Sequence, residues 1–428
     1  MAMSTKHNST GSLASPRTVV VVGSGIVGLA CAHYLTEAGV SVTVVDKGSI
    51  ANGCSHANCG YVSPSHVLPL TEPSAIGLAI KSLFNPSSPF RVKPSLSLAQ
   101  WKWFWQFARR CTDRQMLKAG AQLKSILDSS MSEYIKLMDQ EKFECEWKTN
   151  GLLFVLQSER GMESFAESDD FLTKHFGVTA RRIEGHELPA FDAALKSGLG
   201  GAFYYEDDAS VRPDLLNQQW AERLRDRGVQ FREQCEVKEI QRDGDRIACL
   251  KTDDFDLEAE RYVFATGAWS PMLSKGLRCH IPIQPGKGYS VTMSKPDPCP
   301  QYPMLFPEHK VGVSPFEQGY RLGSMMEFCG YDDSIPSWRI DQLKRSAEPY
   351  LVAPHTDGPQ QEWFGWRPMT WDSLPIIGQV PSTPNAYLAA GHNMLGLSLA
   401  AATGKLIAEM IQGRPTHIDA ESFSPSRF

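Results

Sequence analysis

The chain has no stretch of about 20 apolar residues, so no spanning helix is expected. Residues 389–411 come nearest, but His392, Asn393, Lys405 and Glu409 interrupt them. It also has no basic excess. A formal net charge of −5 gives no electrostatic footprint for nucleic acid. The ten cysteines are scattered between Cys31 and Cys329, without the dense pairing of a secreted disulfide scaffold. They read as reduced thiols of a cytoplasmic protein. A G-x-S-x-G elbow is missing, which leaves a serine-nucleophile scheme without a foothold. Cys54, His56 and Cys59 lie close together, but no further cysteine or histidine pair completes a zinc set, and no metal is expected. Residues 1–17 lack an apolar h-region, which excludes an ordinary secretory signal. They read as a disordered tail. No internal repeat is present.

What is there describes a globular protein: 42% hydrophobic and 21% charged residues over 428 positions, long enough for two domains. The β-branched run at residues 18–22 is short enough to be a buried parallel strand. GSGIVG follows at 23–28, then a helical pattern to Glu37, a closing Gly39 and a second strand at 42–45 that ends on Asp46. Together these form one βαβ unit. Gly23 permits the tight turn, Gly25 lets the backbone approach a pyrophosphate, and Gly28 lets the helix pack closely on the strand. The helix start at Ile26 and Val27 offers free N–H groups to phosphate oxygens. Asp46 stands where a carboxylate accepts from a ribose hydroxyl. The same unit serves NAD and FAD, and the choice between them stays open at this point.

Further along, residues 203–213 and 230–265 contain strand-like runs separated by polar turns such as Asp243-Gly244. Residues 262–265 read as a buried strand delivering Thr266 and Gly267 at its end. Alternation from Gly286 to Glu327 indicates an antiparallel sheet. A last short strand at 387–390 precedes a Leu- and Ala-rich helix at 396–411. A helix N-terminus led by Gly396 would stabilise negative charge on a reduced flavin pyrimidine ring.

The order and spacing of VVVVGSGIVGLACAHYL, SHANCGYVSPSH, ATGAWS, PGKGYSVT, GWRPMTWDSLPIIG and AAGHNMLGLSLAAATGKLIAEMI make this chain resemble the D-amino acid oxidase-like family of FAD-dependent oxidoreductases. Within that family it is most similar to the bacterial D-amino acid dehydrogenase small-subunit type. The resemblance covers nearly the whole chain after Pro16. It implies an α/β fold, with a Rossmann-like FAD-binding domain at 18–90, 200–275 and 360–415. A second, mostly antiparallel β-sheet substrate domain would take 91–199 and 276–359. It implies FAD as cofactor, contacted by Gly23, Gly25, Ile26, Val27, Gly28, Asp46 and Lys47. Cys54, Ser55, Cys59, Gly60 and Tyr61 would wrap the flavin, joined by Val237, Thr266 and Gly267. His392, Asn393, Met394, Leu395, Gly396 and Leu397 would lie at its pyrimidine end. Some relatives attach FAD through a histidine in the 54–61 loop. Ala57 occupies that position here, so the resemblance does not extend to covalent attachment.

The resemblance also implies that Arg367 clamps a substrate carboxylate, which suits a guanidinium able to form two parallel hydrogen bonds. Tyr289 is a second candidate for the same pocket, with core packing as the alternative. The expected reaction is oxidative deamination of a small amino acid, with electrons passed to a quinone, another carrier or oxygen. A glycine or sarcosine oxidase-like enzyme and a hydroxyproline dehydrogenase are alternatives. An NAD-binding dehydrogenase or a non-catalytic nucleotide-binding subunit is the more remote one. Trp101, Trp103, Phe104, Trp105 and Phe107, beside Lys102, Arg109 and Arg110, have two readings: burial, or peripheral contact with the inner face of a membrane.

Overall fold

The computed structural model describes residues 16–50, 52–77, 88–93 and 96–428. The expected tail therefore lies, apart from Pro16 and Arg17, outside the described residues. Two sheets dominate the rest. The first has six strands, in the order Ile376–Val380, Thr383–Ala390, Arg261–Phe264, Thr18–Val22, Ser41–Val45 and Gln230–Arg232. Five of these run parallel, and Ile376–Val380 lies antiparallel at one edge. Val19 to Val22 are all buried, as a parallel strand covered on both faces requires. The Ile26–Glu37 helix lies against this sheet and against the Gly396–Ile411 helix. Those two helices approach so closely that a Cβ on Gly404 would stand 2.5 Å from the Ala30 carbonyl.

The second sheet has nine strands and is mostly antiparallel. Its order is Gln361–Thr370, Ile283–Met293, Gly319–Phe328, Val311–Phe316, Met304–Phe306, Leu152–Leu156, Gly201–Tyr205 and Arg181–Glu184, with Phe90–Val92 paired to Gly319–Phe328. A meander of Glu239–Asp243, Arg246–Lys251 and Asp256–Leu257 stands apart, and Asp243-Gly244 makes its turn as expected.

Two strand pairings and one helix packing cross the domain limits expected from the sequence. The expected limits put Gly201–Tyr205 and Gln361–Thr370 on the dinucleotide side, yet both hydrogen-bond into the nine-stranded sheet. The Asp113–Glu141 helix was placed with the substrate side. Its Leu123, Ile126, Leu127 and Tyr134 instead share a core with Val19 and Leu29. The physical reason is common to all three. A strand's or helix's own pattern fixes its type and buried face, but not which distant partner covers that face. The aromatic segment is divided between buried and exposed side chains. In the Leu98–Ala108 helix Trp103 is buried, with its indole N–H donating to Pro282 O at 3.0 Å, and Phe104 and Phe107 pack beside it. Trp101 and Trp105 face outward, 49% and 55% exposed. Among the described residues no helix is long and apolar enough to cross a membrane.

Candidate functional site

A cavity of about 570 Å³ opens between the two sheets. On one side it follows the carboxyl ends of the parallel strands, where the strand order reverses around Thr18–Val22 and ligands of open α/β sheets bind. Gly23, at φ +104°, makes the turn out of that strand, and a Cβ there would meet Ala265 O at 2.5 Å. Gly25 stands at the helix N-cap position, and Ser55 Oγ accepts from Ile26 N at 3.0 Å. Gly28 does not border the cavity. It is the packing glycine, since a Cβ would stand 1.9 Å from Gly23 O. Asp46 accepts from Ser24 N and Ser24 Oγ through one oxygen and from Gly48 N through the other. Lys47 lies over the Trp269 ring at 4.1 Å. Val237, Thr266 and Gly267 line the same end.

This end of the cavity passes a direct fit test for a dinucleotide. Gly23 leaves no room for a side chain, a Cβ on Gly25 would crowd Ser55 Oγ at 3.3 Å, the helix start has N–H groups without intrahelical partners, and the carboxylate sits at the end of the second strand.

The middle is wrapped by the loop bearing Cys54, Ser55, Cys59, Gly60 and Tyr61, all of which line the cavity. Gly60 is forced to be glycine by its φ of +75° and by Val211 O, 2.0 Å from where a Cβ would stand. Cys54 Sγ donates to Trp366 O at 2.6 Å, tying this loop to the nine-stranded sheet. Burial pushes the Cys54 thiol up to about 12 and raises that of Cys59, so both stay protonated at neutral pH.

The turn before the Gly396–Ile411 helix closes the third side through His392, Asn393, Met394, Leu395, Gly396 and Leu397. His392 is buried, within 3.0 Å of Thr403 Oγ1, and desolvation pulls its pKa down to about 3, which keeps it neutral. Asn393 is a structural tie. Its side chain accepts from Thr370 N at 2.9 Å and donates to Gly391 O at 3.0 Å, joining this turn to the end of the Gln361–Thr370 strand.

That strand carries Trp363, Gly365 and Arg367 on one face and pairs antiparallel with Ile283–Met293, Gly365 opposite Gly288. Arg367 leans across Gly288, and a Cβ there would fall 2.2 Å from its Nη1. Nη1 donates to Met325 O at 2.5 Å. Met325 holds a φ of +65° inside its strand, an unfavourable state for a side-chain-bearing residue, and the sheet register shifts opposite it, between Lys287 and Tyr289. Arg367 is partly buried in the cavity wall, where desolvation lowers its pKa, and among the described residues no carboxylate pairs with it. The nearby thiols are uncharged at neutral pH, so its charge is uncompensated within the protein.

Tyr289 borders the cavity, but its hydroxyl donates to Glu327 at 2.8 Å, and Glu327 is also held by Arg91 and Arg339. Lys287 is buried next to it and committed to Ser334 O and Asp332. Sequence reasoning missed several cavity residues: His66, Trp269, Ser290, Leu305 and Trp366, together with Gly288. Trp269 and Trp366 sit inside motifs already singled out, ATGAWS and GWRP. His66 ends SHANCGYVSPSH, and Gly288 and Ser290 lie in PGKGYSVT, whereas Leu305 stands outside every motif singled out.

Residues 18–410 match the family model described as "FAD dependent oxidoreductase". The chain belongs to that family. Its cofactor is FAD, and the enzyme is a flavin-dependent oxidoreductase, which removes the NAD alternative. A curated relative, a D-amino acid dehydrogenase from Neisseria meningitidis serogroup C, is 30% identical over 416 residues, covering 96% of this chain and 99% of its own. Among solved structures, glycine oxidase from Geobacillus kaustophilus matches with a TM-score of 0.74 at 22% identity, over 97% of this chain and 100% of that one. L-proline dehydrogenase from P. horikoshii matches with a TM-score of 0.70 at 21% identity, over 97% and 98%. Both likenesses are likenesses of fold. The Rossmann-like half and the second sheet of this FAD-dependent oxidoreductase are thus an α/β arrangement shared across the family.

Proposed function

We propose that this flavoenzyme oxidatively deaminates an amino acid in the manner of a D-amino acid dehydrogenase, with Arg367 as the clamp on the substrate carboxylate. The observation that carries the reading is the partly buried guanidinium in the cavity wall, with no carboxylate partner among the described residues. A cation drawn into a cavity wall loses part of its hydration, and a ligand carboxylate with two parallel hydrogen bonds offsets that cost. The nearly full-length likeness to a D-amino acid dehydrogenase supports the same substrate class.

In this reading the dinucleotide is held by Gly23, Gly25, Ile26, Val27 and Asp46, and the ring system by the 54–61 loop and the helix start at Gly396. FAD, when bound, supplies the two-electron acceptor for the α-hydrogen. The rest is orientation by the chain. Arg367 fixes the carboxylate, so that the α-carbon faces the ring and the neutral amine can assist loss of the hydrogen. No side chain serves as an obligatory base. The Tyr289 hydroxyl donates its hydrogen bond to Glu327, Lys287 is held by Ser334 and Asp332, and His392 is engaged by Thr403. The amine proton leaves to water, and the imine product hydrolyses to a 2-oxo acid and ammonia. Turnover of D- against L-amino acids, glycine, N-methylglycine and hydroxyprolines tests the substrate class, and peroxide formation separates an oxidase from a dehydrogenase. A substrate panel that leaves the flavin oxidised under anaerobic conditions would overturn the reading.

The electron acceptor in this reading is a quinone, another carrier or oxygen. The outward face of the Leu98–Ala108 helix supports a peripheral membrane contact, because Leu96, Leu98, Trp101 and Trp105 are exposed beside Lys102 and Arg109. Sedimentation with anionic liposomes, weakened by a Trp101→Ser/Trp105→Ser double substitution, is the expected result. Equal sedimentation of both proteins would remove this contact.

A further inference from the structure

His66 lines the cavity, and none of the residue roles derived above uses it. It sits in a stiff turn. Ser65 donates to Asp208 from both its amide, at 3.1 Å, and its hydroxyl, at 2.7 Å. His66 N donates to Ser63 O, and Ser63 N donates to Ser398 Oγ. The imidazole packs on Phe154 with ring centroids 5.6 Å apart. Its Nδ1 is closed off from solvent and has no hydrogen-bond partner. Burial is the single cause acting on its pKa, which falls to about 4, so the ring is neutral. A phenyl ring would fill the same place on Phe154 without the cost of an unsatisfied polar group, about 1–3 kcal/mol. A polar ring kept in a cavity wall without a protein partner points to a ligand.

The tautomer follows from the sealed nitrogen. An orphaned acceptor is less costly than an orphaned N–H, so the proton resides on Nε2, the nitrogen a ligand can reach. We propose that His66 selects the far end of the substrate by donating a hydrogen bond from Nε2 to an uncharged oxygen acceptor on the amino-acid side chain. This rests on the amino-acid reading above. The partner lies on the substrate side of the cavity, because Phe154 belongs to the nine-stranded sheet that carries Arg367, whereas the dinucleotide residues stand on the six-stranded one.

The span is long. Arg367 Nη1 ends at Met325, in the Gly319–Phe328 strand, and Phe154 lies three strands further along the sheet order. At about 4.8 Å per strand that is roughly 14 Å. That favours a side chain of glutamine length over serine or asparagine. No charged group acts on the ring, so a side-chain carboxylate would be buried unpaired, and a carboxamide is the fitting terminus.

The test compares glutamine with norleucine, of similar length but without the oxygen, and with glutamate. Each is offered as both enantiomers to the FAD-loaded native protein and to His66→Phe, with flavin reduction followed anaerobically. The native enzyme should favour glutamine over norleucine by about tenfold or more in kcat/KM. His66→Phe should erase that preference while leaving norleucine unchanged, and His66→Asn, which keeps a donor, should restore part of it. A preference unaltered by His66→Phe, or an equal fall for both substrates, would overturn the role of His66 alone. A native protein whose flavin no amino acid reduces would instead overturn the amino-acid reading. If neither variant loads FAD, His66 serves the fold and the proposal fails.

Discussion

Replacing Gly288 by alanine would put a methyl carbon 2.2 Å from Arg367 Nη1 and 2.5 Å from its Cζ and Nη2. Non-bonded carbon and nitrogen settle at about 3.5 Å, so the guanidinium must retreat by more than an ångström. It is the end of a flexible side chain, and the backbone pairing of Gly288 with Gly365 can persist. The retreat breaks the 2.5 Å bond to Met325 O and takes the fork away from its place above Gly288. Losing a charge-assisted hydrogen bond costs about 1.5–3 kcal/mol, which is roughly 10- to 150-fold in amino-acid affinity. Anaerobic titration of the visible flavin band with an amino acid reads that affinity directly, and a thermal melt with FAD bound reads the fold. Gly288→Ala should keep its flavin and melt close to the native protein, yet bind the amino acid at least tenfold more weakly. Unchanged amino-acid affinity would refute the reasoning, as would loss of flavin in step with loss of substrate.

Other outcomes are expected from particular contacts. Arg367→Ala should raise KM for amino acids by the equivalent of about 2–4 kcal/mol while the flavin spectrum persists, checked by steady-state kinetics on the loaded protein. Gly404→Ala drives a methyl group to 2.5 Å from the Ala30 backbone, so the melt should show about 1–3 kcal/mol of destabilisation. An unshifted melting temperature would show that the two helices separate freely. Asp208 is nearly fully buried, and desolvation raises its pKa from 3.8 to about 7. The folded chain therefore holds this proton more tightly than the unfolded one, and stability is lost as pH rises from about 4 through 7. Asp208→Asn should gain in melting temperature relative to the native protein between pH 5 and pH 8. A difference that stays constant with pH would contradict the burial argument.

The opening βαβ unit was legible because its chemistry is local. Gly23, Gly28 and Asp46 act on neighbours within one strand–helix–strand unit, and their spacing carries the meaning. Arg367 was legible through its motif, whereas the reason it can lie flat was not. That reason is Gly288, on a strand some eighty residues earlier, together with the carbonyl turned out by the positive φ of Met325. Both are long-range facts of sheet register. The same holds for the segments at 201–205 and 361–370, whose alternation announced strands without naming their partners. His66 closes the SHANCGYVSPSH motif, but its role was not legible there, since its interest lies in the hydrogen bond it does not make.

The most direct test of the central claim pairs an amino acid with the amine left when its carboxylate is removed. Both are mixed anaerobically with the FAD-loaded native protein and with Arg367→Met. The native flavin should be bleached by the amino acid and not by the amine, and Arg367→Met should lose most of that difference. Equal bleaching of the native flavin by the amine would contradict the assignment of Arg367 as the carboxylate clamp.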